Sequence, residues 1–413
     1  MLKKQVLILL FGLITLIAII IIFNKPPLYD EPYYLQNIPL LHKYGISKVY
    51  LLHHLGSAGP LYPVLHYLLE PVTGLQMPYV RLVNIGLLLG VIYFLAVTLK
   101  LLNFFGSYAL SVLAIPMTYT ISGLALTEMP AMFFFSAGTY LIIKATSNYA
   151  LNWRAIIHLS AGGLFISLAI LGRQPYLLTL VALPILFWNK ENYIRNGLLL
   201  LLTLVFCLAL PVYVFYLWKG LVAPMDSNVY EDLARQGIAL KPEFSFLCIA
   251  YFSIVFIIIA PGLFILPNKR QTLLLLLIYM LLAAVNYQFS IIKFLPVTSV
   301  IIKIIPGQYL QIASVLCGAG MALIAIYFLA SLLWQLHKKA YPKELVFYSF
   351  ASLLIAISCM KITWGFSSRY AAQAIPMLIP VGAYFYKKNN NNVYAIAAGV
   401  ILGLLSFATY ISG

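Results

Sequence analysis

Apolar runs long enough to cross a bilayer recur along this chain from one end to the other, and they leave few folds open. Each spans about 17–25 residues, the length a helix needs to traverse the hydrocarbon core. Inside lipid, backbone groups must be satisfied within the segment, so these runs are helices. Unbroken apolar stretches exclude barrel strands, which alternate. A composition of 63% hydrophobic and 9% charged residues, with mean hydropathy +0.97, excludes a soluble domain. We place spans at 5–23, 78–99, 106–124, 129–145, 155–171, 174–189, 196–218, 244–266, 271–287, 308–334, 344–360, 371–386 and 393–411. The expected fold is all-α and polytopic, about thirteen transmembrane helices in one domain over residues 1–413. The short runs 155–171 and 174–189 also fit a re-entrant pair. The first run follows Lys3 and Lys4 and lacks a small-x-small cleavage site before Asn24, so it reads as an uncleaved helix.

Charge gives the run of helices a direction. With the N-terminus inside, the cytoplasmic turns carry Lys100, Lys144, Arg154, Lys190, Arg195, Lys269, Arg270, Lys338, Lys339, Lys343, Lys387 and Lys388, besides Lys3 and Lys4. Glu191 and Glu344 are the two acids on that side, and the other eight of the chain's ten fall outside. Long outer segments lie at 24–77, 219–243 and 288–307. In the first, Tyr34, Leu35, Ile38 and Leu41, then Val49, Leu52 and Leu55, suit amphipathic helices lying in the membrane interface. The net charge of +16 follows topology and anionic lipid; there is no basic domain to bind nucleic acid. Cys207, Cys248, Cys317 and Cys359 sit in or beside apolar runs without metal-ligand spacing and read as small core residues.

The residues that can carry chemistry fall at helix ends on the outer face. Asp30 and Glu31 follow the first span, where an acidic pair at the edge of lipid is costly and suits acid–base work. Beside Lys25, the same pair also reads as ordinary helix-end acids. Glu128, before Met129 and Pro130, is either a helix-start acid or a second carboxylate facing the first. Arg173 and Arg369 lie at outer turns on the same side; arginine is the fork-shaped ligand of phosphate oxygens, and also a common interfacial anchor. Tyr370 and Trp364 flank Arg369 and can stack on a sugar, although aromatic belts explain most of the 30 tyrosines. His42, His53, His54 and His66 bring four of the six histidines to the first outer loop, without zinc spacing. Glu70 there reads as an interface acid, and Asn389–Asn392 as a polar turn. No P-loop, dinucleotide fingerprint, HExxH or GxSxG element is present, which leaves nucleotide-driven transport and serine hydrolysis without support.

Several short elements occur in a telling order: Tyr29-Asp30-Glu31, Gly59-Pro60-Leu61-Tyr62-Pro63, Arg81-Leu82-Val83-Asn84, Thr127-Glu128, Arg173-Gln174, and Ser368-Arg369-Tyr370 with Pro376 following. In this order and topology the chain resembles the GT-C class of membrane glycosyltransferases, which use polyprenyl-phosphate sugars. It is similar to the aminoarabinose transferases of lipid A, to protein O-mannosyltransferases and, more closely in motifs, to the enzyme adding the terminal α-1,2-glucose to the N-glycan lipid precursor.

The resemblance implies an inverting transfer of sugar from a polyprenyl-phosphate carrier to a hydroxyl on a lipid, glycan or protein, outside the membrane. It implies Asp30 as general base, Glu31 as its acidic neighbour and Glu128 as a second acid that orients the acceptor. In some relatives the second acid holds a divalent metal, so Asp30 and Glu128 are the candidate metal ligands and no other cofactor is implied. Arg173 and Arg369, with Tyr370, match positions that neutralise the donor phosphate; His53, His54, Tyr62 and Arg81 are weaker contact candidates. Gly59 departs from the pattern, standing where relatives carry Lys or Pro, and His53 or His54 is a candidate substitute for the missing base. The modest length and the Asn-rich turn point to a bacterial inner membrane. A lipid-linked-sugar flippase and a pyrophosphate-donor polysaccharide polymerase or ligase stay open beside this reading.

Overall fold

Most of the apolar runs fold as single helices, one of them with Pro211 inside it, and three are broken. The computed structural model describes residues 3–56, 58–147, 152–188, 192–225, 240–264, 268–292, 294, 305–338, 341–361, 365–386 and 393–412. Among them, nine helices are each long and apolar enough to cross a membrane: α1 (Lys3–Ile22), α7 (Tyr79–Leu101), α10 (Trp153–Gly172), α12 (Tyr193–Trp218), α13 (Pro242–Ile259), α14 (Lys269–Phe289), α15 (Gly307–Lys338), α16 (Lys343–Ser358, extended by the 3-10 turn Cys359–Lys361) and α19 (Val393–Ser412). The chain is an all-helical polytopic membrane protein.

Three runs expected as unbroken spans are broken instead. Residues 106–124 form a 3-10 helix, Gly106–Ala114, and then α8 (Pro116–Gly123). Helix α8 meets α9 (Glu128–Ser147) at a bend of 110°, a broken span or a re-entrant hairpin by shape. Residues 174–189 form the 3-10 helix Gln174–Ala182 and the short α11 (Pro184–Phe187). Residues 371–386 divide into α17 (Ser368–Ala372) and α18 (Ile375–Phe385). Each break has a proline at the start of the new helix, Pro116, Pro184 or Pro376. Proline has no N–H for the ladder, and Ile115 before Pro116 is extended, whereas Leu183 before Pro184 keeps helical angles. Hydropathy is blind to this, which is why a window of apolar residues reads as one rod.

The broken pieces still run between two ends of the bundle. At one end, Tyr108 donates to the Ile259 carbonyl (2.9 Å) and Lys343 to the Leu186 carbonyl (2.6 Å). At the other, Asn84 donates to Leu124 and Leu126 (2.7 and 3.1 Å), and Tyr176 to Gln373 (2.7 Å). Helix α10 packs between α9 and α12, and α14 packs against α15 with its leucines turned outward. Gly138 of α9 faces Gly162 of α10, and a Cβ on either would lie under 3 Å from the other's carbonyl oxygen, so two small residues permit the crossing.

Between α1 and α7 lie five short helices: α2 (Glu31–Leu35), α3 (Ile38–Tyr44), α4 (Lys48–His53), α5 (Leu61–Leu68) and α6 (Glu70–Thr73). Tyr34, Ile38 and Leu41 turn inward, while in α4 Tyr50 is buried and Val49 is exposed. Ile46, Leu68 and Val72 are exposed too, leaving an apolar rim suited to the interface. Asn37 ties the layer together by pairing with both the N–H and the C=O of Leu55 (2.7 and 2.6 Å). Trp218, ending α12, donates to the Leu51 carbonyl (2.7 Å) and stacks on His54.

Gly59, where the motif of relatives has Lys or Pro, is a contact residue. A Cβ there would sit 1.9 Å from the carbonyl oxygen of Leu171. The first loop is thus pressed backbone to backbone onto the end of α10, two residues before Arg173.

Candidate functional site

The candidate residues converge at one end of the bundle. Tyr29 takes a left-handed backbone (φ 53°), sparsely populated for a residue with a side chain. Asp30 follows at the N-cap of α2, yet its carboxylate makes no cap hydrogen bond. It turns away to pair with Arg369 of α17, a residue 339 positions distant in sequence.

Glu128, the first residue of α9, is fully buried and pairs with Arg173 at the end of α10. The same oxygen, Oε1, lies 3.8 Å from Nε of Arg369. Asp30, Arg369, Glu128 and Arg173 therefore form one chain of alternating charge. Tyr370 caps it, with the guanidinium carbons of Arg369 and Arg173 at 5.5 and 5.9 Å from its ring centre. Exposure is graded along the chain: the Asp30 side chain is 41% exposed, Arg369 24% and Glu128 0%. A ligand arriving from outside meets Asp30 and Arg369 first.

Glu31 has a different part from its neighbour. Its carboxylate takes both Nε and Nη2 of Arg81 (2.9 and 2.7 Å), the N–H of Leu28 (2.7 Å) and the N–H of Ala125 (2.6 Å). Arg81 also donates to the carbonyls of Lys25 and Pro26 (3.1 and 3.2 Å). This sealed pair joins the end of α1, the start of α7 and the turn before α9. Such an acid has no accepting capacity left for a substrate proton, and Arg81, fully buried, is no surface for a ligand. Both act by holding the site's backbone in place.

The histidines separate as well. His54 accepts from the Tyr50 hydroxyl through Nδ1 (3.1 Å) when its Nε2–H donates to the Ala58 carbonyl (3.0 Å). Burial pushes its pKa down to about 4, so it is a neutral strut, not a base replacing the missing one. His53 stacks on Tyr44 and bonds the Val49 carbonyl, so it takes up local contacts. His42 pairs with Glu70 (3.1 Å) at the surface of the loop. His66 is buried against Tyr62 (ring centres 4.4 Å), and burial lowers its pKa to about 4.

Two residues outside the candidate set complete the wall. Tyr34 lies one turn after Asp30, edge-on to Tyr62 at 5.9 Å. Its pKa is raised, first by burial, with Arg173 and Arg369 pulling the other way. Gln373 lies one turn after Arg369. Both sit at i+4 of a charged residue on a short helix, a spacing that places side chains on one face. The Tyr62 hydroxyl, both His66 nitrogens, Thr127 Oγ1, Asn84 Oδ1, Gln373 Oε1, Glu128 Oε2 and Nε of both Arg173 and Arg369 are buried without a protein hydrogen-bond partner. Buried polar atoms are nearly always paired. A group of them around one charged chain suits a ligand rich in oxygen.

Asp30 and Glu128 do not fit a divalent metal. Each faces a guanidinium, and among the described residues no group of three or more His, Cys, Asp or Glu side chains is placed to share an ion. Trp364 lies outside the described residues, as do Lys190, Glu191, Lys339, Lys387 and Lys388, the acids Asp226, Glu231 and Asp232, and Asn389–Asn392.

No protein-family model and no curated protein matches the chain. Among solved structures, the crystal structure of ArnT from Cupriavidus metallidurans in the apo state is similar over 94% of this chain and 77% of that one, at 13% identity and a TM-score of 0.40.

Proposed function

We propose that this protein is an inverting GT-C glycosyltransferase that moves a sugar from a polyprenyl-phosphate carrier to a hydroxyl acceptor on the extracytoplasmic face of a membrane. The observation that carries the reading is the chain Asp30–Arg369–Glu128–Arg173, gathered from four distant stretches at one end of a lipid-embedded bundle. Its location suits a substrate whose phosphate lies at the membrane surface and whose tail lies in lipid.

The chemistry follows from the groups present. Arg369 and Arg173 bind the donor phosphate, a task for which the planar fork is suited. Asp30, the most open carboxylate of the cluster, takes the proton of the acceptor hydroxyl. The acceptor oxygen bonds to the anomeric carbon as the bond from that carbon to the phosphate oxygen breaks, and a single displacement inverts the centre. The leaving phosphate gains charge as it departs, and guanidiniums already in position stabilise it. Glu128 holds both arginines, and Glu31 with Arg81 holds the turn carrying Asp30. The α2–α6 layer covers the site and limits attack by water. In this reading the chain acts as a single domain in a bacterial inner membrane, with its site facing the periplasm.

The test is transfer of labelled sugar from a panel of polyprenyl-phosphate sugars by purified protein in lipid, wild type beside Asp30→Asn. Turnover with one donor that is lost in the variant, with the thermal midpoint retained, is the expected result. Equal turnover in both removes Asp30 from the mechanism. Failure of a well-folded sample with every monophosphate donor overturns the donor class.

A further inference from the structure

Asp30 and a phosphate are rival acceptors for the Arg369 guanidinium. The donation reaches one carboxylate oxygen, Oδ2. In this structure Arg369 is bonded to Asp30 and also lies against Glu128, so one guanidinium bridges the open carboxylate and the buried one. We propose that Arg369 is an exchangeable positioning residue: donor phosphate displaces Asp30 from it, and this exchange releases the Oδ2 end of Asp30 toward the acceptor hydroxyl as donor binds. The proposal rests on the donor reading above and adds an order of events to it.

Three features favour exchange over a fixed pair. First, the Asp30–Arg369 pair is the exposed end of the cluster, at 41% and 24% side-chain exposure, and ion pairs open to water hold weakly. The Glu128–Arg173 pair is buried and suits a fixed anchor. Second, Arg369 keeps a partner when it lets go of Asp30, because its Nε end faces Glu128 at 3.8 Å and Tyr370 packs on its guanidinium. Third, Nε of Arg369 and Nε of Arg173 are both buried donors without a hydrogen-bond partner, so the two guanidiniums hold donor capacity that the carboxylates leave unused. A phosphate has enough oxygens to take both and to replace Asp30 on the first. Asp30 itself lacks any cap bond to α2, so nothing in its own helix prevents it from turning to an acceptor.

The consequence is an order of binding, donor before acceptor. It also separates two roles that ordinary mutagenesis would merge. If Asp30 merely oriented Arg369 for phosphate, its removal would weaken phosphate binding. If it competes with phosphate for Arg369, its removal strengthens binding.

The experiment measures affinity of the full-length protein in lipid nanodiscs for undecaprenyl monophosphate, with undecaprenol as the phosphate-free control. The proposal expects Asp30→Asn to bind the phosphate severalfold tighter than wild type. Arg369→Gln should bind it at least tenfold more weakly. Because loss of any nearby negative charge favours an anion, a second readout is needed. Labelling of Asp30 by a water-soluble carbodiimide, read by peptide mass spectrometry, should rise severalfold in wild type at saturating undecaprenyl monophosphate and stay flat with undecaprenol. Tighter binding together with increased labelling supports exchange. Equal or weaker binding by Asp30→Asn, or labelling that stays flat or falls, overturns it while leaving the phosphate site standing. Absence of binding to wild type overturns the donor reading as well.

Discussion

At the scale of single residues, two adjacent acids with the same chemistry have been given opposite tasks by their surroundings. Glu31 is fully enclosed and saturated by Arg81 and two backbone N–H groups, whereas Asp30 stays partly open. Removing one partner of a buried pair leaves the other charge unmatched, at a cost of about 3–5 kcal/mol. Glu31→Gln and Arg81→Ala should therefore lower the thermal midpoint in detergent markedly, with Asp30→Asn close to wild type. Equal midpoints for all three would remove the structural role of the sealed pair. The buried histidines make a second prediction. His54 and His66 have folded pKa values lowered from the ordinary 6.5 to about 4. Between those values the unfolded chain binds a proton that the folded chain refuses, so stability is present above about pH 6.5 and falls as pH drops toward 4, by up to ~1.4 kcal/mol per pH unit for each histidine. Thermal midpoints at pH 7.5, 6 and 5 should fall in that order, and more gently in His66→Phe; an unchanged slope in the variant would count against His66 as a contributor.

At the scale of elements, the first outer loop is a docked layer held at a few points. Gly59 on the Leu171 backbone and Trp218 on Leu51 and His54 set its height above the site. A side chain at position 59 has no room, because its neighbour is backbone and cannot rotate away. Gly59→Val is expected to lift the loop, exposing it to limited proteolysis and lowering transfer at least tenfold, while α-helical content measured by circular dichroism is retained. Wild-type protease resistance in this variant would show that the loop docks elsewhere. The amphipathic pattern in this loop was legible as helix but not as orientation: Val49 belonged to the apolar set, yet it is exposed, and Tyr50, whose hydroxyl reaches His54, is buried. Periodicity over six residues does not separate two neighbouring faces when one side chain carries a buried hydrogen bond.

At the scale of the molecule, the two chain termini belong to opposite ends of the bundle. Tyr410 of α19 meets Tyr29 edge-on at 5.2 Å, beside Asp30, while Lys3 begins α1 at the far end of a 20-residue helix. Cysteines introduced at Lys4 and Ser412 should be labelled by a membrane-impermeant maleimide from opposite sides of sealed vesicles, with Ser412 on the side of the candidate site. Labelling from one side would demand an even number of crossings and a different topology.

Legible in the sequence were the lipid setting, helix in the apolar runs, and the position of Asp30, Glu128, Arg173 and Arg369 at helix ends on the same side. Those conclusions come from local quantities: apolar length, residue type at helix ends and the distribution of basic turns. Tertiary structure alone decided that Glu31 is sealed, that His54 is a strut and that three apolar runs are broken at proline. It alone decided that Gly59 is a contact and that Arg369 stands between two carboxylates. A carboxylate's task depends on which donors reach it, and those donors come from residues 50, 94 and 339 positions away in the chain. Separation along the sequence carries no information about such distances until the helices have packed.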